Sequence, residues 1–233
     1  MNCRWALHIV WGVLLIISFS CKKKEFTVYP TIYGHAGISL SVERAVYPPN
    51  SEKSILYALD VLNADGVEMD VQLTKDSVLV LFHNEFMDDS DCISELSWED
   101  LEDLNQNENH PIIRLSDILS NVILRDKFVF LDIKHYSACT DDFIDFTTFN
   151  WALSNELAEF SISQKSKITV NCRSIDLLIA IENTSIQKSF ETEEIELGIS
   201  YSELYGIDKL ATKLSFFTDE KASLLKGGGL DYC

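Results

Sequence analysis

The sequence predicts an α/β fold, a parallel (β/α)8 barrel of the TIM type whose last strand we expect to be truncated. From about residue 32 onward, short apolar runs of strand length alternate with longer amphipathic runs, which is typical of repeated strand and helix units. The 233 residues are 46% hydrophobic and 24% charged, which is enough for one large domain with a real core. Polar side chains interrupt several of the apolar runs close to their ends, where such barrels carry their functional residues.

Seven apolar runs predict the strands, and an eighth begins near Leu230. The seven runs are Ile32–Ala36, Gly66–Val71, Val78–Phe82, Phe128–Lys134, Lys167–Cys172, Glu196–Ser200 and Leu214–Thr218. The glycine-rich stretch after Lys226 has the character of a loop that leads into a last strand. Because a barrel needs closure, we expect this strand either to consist of a few residues or to continue past Cys233.

Amphipathic stretches between these runs predict the helices, because their apolar residues recur at helical spacing. They are Ser54–Leu62, Ser97–Asn105, Leu115–Val122, Phe149–Glu159, Ser174–Glu182, Ser202–Ala211 and Asp219–Lys226. Two stretches carry start signals, since Ser97 and Ser116 each offer a capping oxygen and are followed by acidic residues that suit a first helical turn.

The first 21 residues predict a lipoprotein signal peptide. Arg4 precedes an apolar run from Trp5 to Phe19 that is short for a membrane span, and Cys21 follows it at a position that resembles a bacterial lipidation site. An uncleaved N-terminal anchor is the alternative, and it leaves the domain on the same side of the membrane. We expect residues 22–31 to be a tether, residues 32–233 to be the barrel, and the protein to be exported and membrane-anchored on the periplasmic or cell-surface side.

Charge and cysteine content narrow the function classes. The net charge of −18 argues against nucleic acid as a partner, because acidic residues outnumber the basic residues that would neutralise a row of backbone phosphates. Apart from the cysteines of the predicted signal, Cys92, Cys139, Cys172 and Cys233 remain, without the CxxC spacing of a zinc site. An exported protein permits disulfides, but the spacing specifies no pair.

Two carboxylates stand at positions i and i+2 of one predicted strand. Alternate residues of a strand point to the same face, so Glu68 and Asp70 share one face while Val67, Met69 and Val71 share the other. Two like charges held close and withdrawn from water are costly unless a cation or a shared proton compensates them. A divalent metal is the simplest compensation, so this strand predicts a metal site.

Other polar residues end neighbouring predicted strands. His35 ends the first strand, His83 follows the third, and Asp132 and Lys134 repeat the i and i+2 arrangement in the fourth. Because the carboxyl ends of barrel strands meet at one edge, we expect these side chains to form a single cluster with the carboxylate pair.

Four short segments in this order resemble the glycerophosphodiester phosphodiesterase family, from about Tyr33 to Lys134. They are Gly34-His35-Ala36-Gly37, the run from Ala64 to Asp76, Phe82-His83-Asn84-Glu85, and Leu131-Asp132-Ile133-Lys134. The resemblance implies a β/α barrel and metal-dependent hydrolysis of a small phosphodiester, a glycerophosphodiester, to glycerol 3-phosphate and an alcohol.

The resemblance also implies a role for each matching residue. His35 and His83 would be the catalytic acid and base, and Lys134 would contact the substrate phosphate. The ligands of a divalent cation, Ca²⁺ or Mg²⁺, would be Glu68, Asp70 and Asp132. Oxygen ligands suit such hard cations, and an imidazole pair can divide the proton transfers of phosphodiester hydrolysis.

The chain departs from the family pattern at three positions. Ala36 stands where the family has an arginine, and Asp132 where it has a longer glutamate. In the stretch Pro49-Asn50-Ser51-Glu52, the family's glutamate is either replaced by the amide of Asn50 or shifted two places to Glu52. Ala36 and Asn50 favour one alternative function, a non-catalytic lipoprotein that binds a phosphodiester or a metal. A second alternative is a phospholipase-like phosphodiesterase or lyase on the same barrel, which would use the same histidines and metal on a lipid diester.

Overall fold

The structure, a computed structural model, describes residues 30–38, 46–87, 91–105, 112–137, 139–182, 185–213, 215, 218, 221, 223 and 231–232. Its secondary structure elements all lie within the unit Ile32–Cys233. The predicted signal peptide with Cys21, and most of the predicted tether, lie outside the described residues. No helix in these ranges is long and apolar enough to cross a membrane.

A mainly parallel sheet forms the centre of the fold. The strands are β1 (Tyr33–Gly34), β2 (Gly66–Leu73), β3 (Leu79–Leu81), β4 (Ile113–Arg114), β5 (Phe128–Ile133), β6 (Tyr136–Ser137), β7 (Asp142–Phe143), β8 (Ile168–Cys172), β9 (Gln187–Glu191), β10 (Lys209–Ala211) and β11 (Asp231–Tyr232). Seven of them pair in parallel in the order β1-β2-β5-β8-β9-β10-β11. Within the described ranges β11 and β1 do not pair with each other.

Helices connect the parallel strands. They are α1 (Glu52–Asp60), α2 (Trp98–Asn105), α3 (Leu115–Leu124), α4 (Phe146–Glu156), α5 (Ile162–Lys165), α6 (Ile175–Ala180) and α7 (Ile195–Tyr205), together with one 3₁₀ turn at Ile93–Glu95. The predicted start at Ser97 is confirmed, because its hydroxyl accepts from the Asp100 backbone N–H while the Asp100 carboxylate accepts from the Ser97 N–H. Helix α3 begins one residue before Ser116, where the Asp117 carboxylate accepts from the Arg114 N–H.

The apolar core lies between the sheet and these helices. Val67, Met69 and Val71 are fully buried in it, as the alternation of β2 predicts, and side chains of α1, α3 and α4 pack in the same cluster. Burial of this kind contributes roughly 25 cal/mol per Å² of apolar surface. Since the apolar face of β2 is sealed by the core, its carboxylates are left on the opposite face.

The third predicted strand is antiparallel to β2, whereas a parallel barrel strand was expected. Val78–Phe82 contains β3, which is antiparallel to β2 in the register Val71 to Leu81, and β4 then pairs antiparallel with β3. The reason is the tight turn after β2: Thr74 accepts at its carbonyl from the Ser77 N–H and at its hydroxyl from the Val78 N–H. A turn this short can only reverse the chain.

Two further predictions near the C-terminus are wrong. Glu196–Ser200 is not a strand but part of α7, whose Gly198 packs against Leu210 so closely that a Cβ would lie 2.7 Å from a Leu210 methyl carbon. The predicted helix Ser202–Ala211 stops at Tyr205, because Gly206 adopts a left-handed conformation (φ 66°) and β10 follows. Strand β9 was not predicted, since four of its five residues, all but Phe190, are polar. Leu214–Thr218 and Asp219–Lys226 lie largely outside the described residues.

A disulfide joins Cys92 to Cys139 across 47 residues of sequence. It ties the segment after β3 to the β6–β7 hairpin that follows β5. Of the remaining cysteines, Cys172 is free and buried, and burial raises the pKa of its thiol to about 12. The sequence alone left the pairing open.

Candidate active site

A row of polar side chains crosses the sheet at one level. The parallel registers place Asp70 beside Asp132, Asp132 beside Asn171, and Asn171 beside Ser189. Residues in register on neighbouring parallel strands point to the same face, so these four side chains form one layer near the carboxyl ends of β2, β5, β8 and β9. The predicted convergence of acidic residues from separate strands is therefore present.

Three carboxylates meet in this layer. Oxygen atoms of Glu68, Asp70 and Asp132 all lie within 4.8 Å of one another. The Asp70 side chain is 1% exposed and that of Glu68 is 14% exposed. Burial, followed by the neighbouring Asp70 charge, raises the pKa of Glu68 to about 8. A set of hard oxygen donors whose charges repel one another fits a divalent cation such as Ca²⁺ or Mg²⁺.

Lys134 lies against two of the carboxylates. Its Nζ atom is 2.7 Å from Asp70 Oδ1 and 2.6 Å from Asp132 Oδ2. Burial by itself would lower the pKa of this lysine, but the Asp132 and Asp70 charges outweigh it and raise the pKa. The ammonium group is thus the counter-ion of the acidic cluster, whereas the family resemblance implies that Lys134 contacts the phosphate.

Asn50 holds Asp70 from the other side. Its Nδ2 donates to Asp70 Oδ2 over 2.8 Å, and its Oδ1 accepts from the Asp70 backbone N–H over 3.0 Å. Asn50 is 1% exposed and has a positive φ of 58°, a conformation that asparagine tolerates better than most residues. Asn50 therefore places a two-point clamp on a central carboxylate.

His35 stands on a turn that the surrounding elements hold firmly. The Ala36 N–H donates to Glu68 Oε2 over 2.7 Å, and the Ser54 hydroxyl donates to the Ala36 carbonyl and accepts from the Ile38 N–H. Gly37, with φ 88°, lets this turn approach α1, where a Cβ would collide with Ser54. The His35 ring itself is exposed, with Nε2 3.7 Å from Glu68 Oε2.

His83 reaches the same edge by a different route. Since β3 is antiparallel to β2, it returns the chain to the level of Asp70, whose carbonyl accepts from the Phe82 N–H. The Gln72 side-chain amide then donates to the carbonyls of Phe82 and Asn84, on either side of His83. The His83 ring is exposed and its Nδ1 lies 3.0 Å from Asn84 Oδ1.

Three amide side chains support the site through contacts that the sequence did not predict. Gln72 fixes the His83 segment, Asn50 fixes Asp70, and Asn171 donates from Nδ2 to Asp132 Oδ1 over 2.9 Å. The available signal was an amide side chain inside or beside an apolar strand, because a buried amide needs partners. The sequence could show that such partners exist but not which groups they are.

Comparisons with known proteins bear on this site. The model of the Glycerophosphoryl diester phosphodiesterase family matches residues 44–201. No curated protein sequence matches the chain.

Solved structures resemble the whole fold. A glycerophosphodiester phosphodiesterase from Thermotoga maritima has a TM-score of 0.66 and 19% identity, covering 87% of this chain and 82% of its own. An Oleispira antarctica phosphodiesterase, solved in complex with the product sn-glycerol-3-phosphate, has a TM-score of 0.69 and 18% identity, covering 87% and 83%. A glycerophosphodiester phosphodiesterase from Parabacteroides distasonis has a TM-score of 0.66 and 16% identity, covering 82% and 78%. At these identities the likeness shows the fold, and the predicted β/α barrel is confirmed.

Proposed function

Because the chain belongs to the glycerophosphoryl diester phosphodiesterase family, we propose that it hydrolyses glycerophosphodiesters to glycerol 3-phosphate and an alcohol with the help of a divalent cation. The observation that carries this proposal is the meeting of Glu68, Asp70 and Asp132 at one strand edge, with His35 and His83 on the two adjacent loops. The product named for the Oleispira antarctica structure fits the same chemistry.

The three carboxylates would hold the cation. Bound there, a divalent cation supplies positive charge that offsets the phosphate charge and stabilises the transition state. Asn50 and Asn171 keep two of the carboxylates oriented through hydrogen bonds of 2.8 and 2.9 Å. Lys134 neutralises part of the acidic cluster, so the remaining negative charge suits one divalent ion.

The two histidines would divide the proton transfers. One imidazole takes the proton of the nucleophile, either water or the glycerol hydroxyl of the substrate, and the other gives a proton to the departing alcohol oxygen. Both rings are exposed at the edge where the strands end, and both stand on segments held by side-chain hydrogen bonds. Such support keeps reacting groups within reach of a bound phosphodiester.

The non-catalytic alternative loses one of its arguments. Asn50 had suggested that a carboxylate of the site was lost, but the asparagine clamps Asp70 and so contributes to the acidic cluster. Ala36 still brings no cation to the end of the first strand.

We further propose that residues 1–21 direct export and that Cys21 carries a lipid. The apolar run before Cys21 and the lysines after it support this, as does a disulfide between Cys92 and Cys139, which is typical of an oxidising compartment. Metabolic labelling with a fatty acid analogue tests it. Loss of the label in Cys21→Ser is expected, and equal labelling of both proteins would contradict lipidation.

The enzymatic proposal is tested by product analysis. Purified protein is incubated with glycerophosphocholine and either Ca²⁺ or Mg²⁺, and the phosphorus products are identified by NMR. We expect glycerol 3-phosphate, and we expect no product in excess chelator or with Asp70→Asn. A cyclic phosphate as the final product would favour the lyase, and no product with bound metal would favour the non-catalytic protein.

A further inference from the structure

We propose that Arg173 binds the anionic oxygens of the substrate phosphate through the free edge of its guanidinium group. The inference rests on the proposed function in that it assumes a phosphodiester at the acidic cluster. It concerns a residue that lies beyond the four segments of the family resemblance.

The need for another cation follows from the site itself. Lys134 Nζ is bound between Asp70 and Asp132, at 2.7 and 2.6 Å, so its charge is directed to the carboxylates. Ala36, on the turn after β1, has no charge and is fully buried. A phosphodiester with a negative charge would therefore find no free side-chain cation on β1 or β5.

Arg173 and Lys134 occupy equivalent positions just after the ends of the neighbouring strands β8 and β5. Asp132 on β5 is paired with Asn171 on β8, and Lys134 and Arg173 each come two residues later. Alternation along the strands directs both side chains to the same face as the acidic layer. The Asp132 charge is among those that raise the pKa of Arg173, after the charge and hydrogen bonds of Glu191.

Glu191 orients the guanidinium and leaves one of its edges free. Its Oε1 accepts from Nε, at 3.0 Å, and from Nη2 of Arg173. A guanidinium has five N–H donors, so Nη1 and one N–H of Nη2 remain. Among the described residues no partner of Nη1 is seen, and the Arg173 side chain is 58% exposed. Two adjacent free N–H groups match two phosphate oxygens, which is the geometry that favours arginine for phosphate.

A chain of hydrogen bonds ties this guanidinium to the candidate metal ligands. Asn171 Nδ2 donates to Asp132 Oδ1 at 2.9 Å and lies 3.5 Å from Glu191 Oε2, while the other Glu191 oxygen holds Arg173. The position of the Arg173 guanidinium is thus coupled to that of the Asp132 carboxylate. Arg173 also lines an open cleft of about 230 Å³, which gives room for the alcohol part of a diester. The other lining residues are Phe190, Glu191, Thr192, Glu193, Thr212 and Lys213.

The test measures binding and turnover separately. The Kd for sn-glycerol 3-phosphate is measured by calorimetry in the presence of Ca²⁺ or Mg²⁺, together with kcat and KM for glycerophosphocholine. Arg173→Gln is compared with Arg173→Lys, which keeps the charge but not the fork. The matched control is Arg125→Gln, because Arg125 forms a similar pair with Asp60 at the opposite ends of the strands.

We expect Arg173→Gln to weaken binding of sn-glycerol 3-phosphate by about 10- to 100-fold, the range for a charge-assisted hydrogen-bonded contact. Arg173→Lys should weaken it by about 5-fold, and KM should rise with little change in kcat, since substrate and transition state both carry the phosphate. Arg125→Gln should change neither quantity. Melting temperatures separate these effects from a loss of folding, and Arg173→Lys keeps the test valid if the glutamine variant unfolds.

The outcomes distinguish this inference from the proposed function. If the wild type hydrolyses the substrate but binds sn-glycerol 3-phosphate with the same affinity as both Arg173 variants, the inference is overturned and the proposed function stands. Binding that depends on Arg173 without any hydrolysis would support the inference and overturn the function. Absence of binding in the wild type would overturn the inference.

Discussion

The hydrogen bonds of Asn50 allow the stability of the acidic cluster to be tested quantitatively. Asn50→Ala removes a donor to Asp70 Oδ2 at 2.8 Å and an acceptor of the Asp70 N–H at 3.0 Å, at a site that is 1% exposed. A hydrogen bond to a charged group is worth about 1.5–3 kcal/mol, and a buried unpaired N–H costs about 1–3 kcal/mol. Since the two losses share one residue and do not add fully, we expect about 3–5 kcal/mol of lost unfolding free energy.

A second asparagine provides the control for backbone conformation. Asn63 also has a positive φ, 55°, but its side chain is exposed. Asn63→Ala therefore carries the cost of placing alanine in a left-handed conformation, about 1 kcal/mol, without the contacts to Asp70. Comparing the two variants isolates the value of the clamp.

The assay is urea unfolding at pH 7 with and without Ca²⁺, followed by circular dichroism. Asn50→Ala should lose about 3–5 kcal/mol without Ca²⁺, and Asn63→Ala about 1 kcal/mol or less. The added stabilisation by Ca²⁺ should also shrink in Asn50→Ala, because Asp70 is no longer held in place. If the two variants lost the same free energy, the clamp would not stabilise the cluster and the reasoning would be refuted.

Three further predictions follow from the site and its surroundings. His35→Ala and His83→Ala should each lower kcat by about 100-fold or more and leave the melting temperature unchanged. Steady-state kinetics and thermal unfolding measure the two quantities, and a near-normal kcat in either variant would exclude the two-histidine mechanism. Because burial raises the pKa of Glu68 to about 8, the folded state binds the carboxyl proton of Glu68 more tightly than the unfolded state does, and in chelator the free energy of unfolding should fall as pH rises from about 4.5 to 8. Glu68→Gln should flatten this pH dependence, and an unchanged slope in that variant would contradict the assignment to Glu68. Reducing the Cys92–Cys139 disulfide, whose cysteines are 47 residues apart, should lower the free energy of unfolding by about 4 kcal/mol through loop entropy. Denaturant unfolding with and without reductant measures this loss, and reductant should not affect the control protein, which carries both Cys92→Ser and Cys139→Ser.

The acidic cluster shows how far local rules extend. The shared face of Glu68 and Asp70, and that of Asp132 and Lys134, follow from the two-residue repeat of a strand, and the structure has both. The apolar face of β2 was equally predictable and is fully buried. Parallel β/α order was visible in the alternation of apolar runs, and it brought β2 and β5 side by side.

The hydrogen-bond and ion-pair partners of individual polar groups depend on the tertiary structure and not on the local sequence. Nothing near Asn50 in the sequence indicates Asp70, which lies 20 residues away, and the ammonium of Lys134 could have faced a substrate or a carboxylate. The same holds for Gln72, whose two acceptors lie 10 and 12 residues further along the chain. Such contacts depend on how close the fold brings two segments, and a local pattern carries no such distance.

The sequence by itself determined which residues share a strand face, where the apolar core lies, and that several carboxylates and histidines end neighbouring strands, because side-chain direction within a strand is set by local backbone geometry. Only the tertiary structure decided that Glu196–Ser200 belongs to a helix and that Cys92 pairs with Cys139. The choice between helix and strand for a short apolar run, and long-range pairing, depend on which segments pack together, and that choice minimises the free energy of the whole chain.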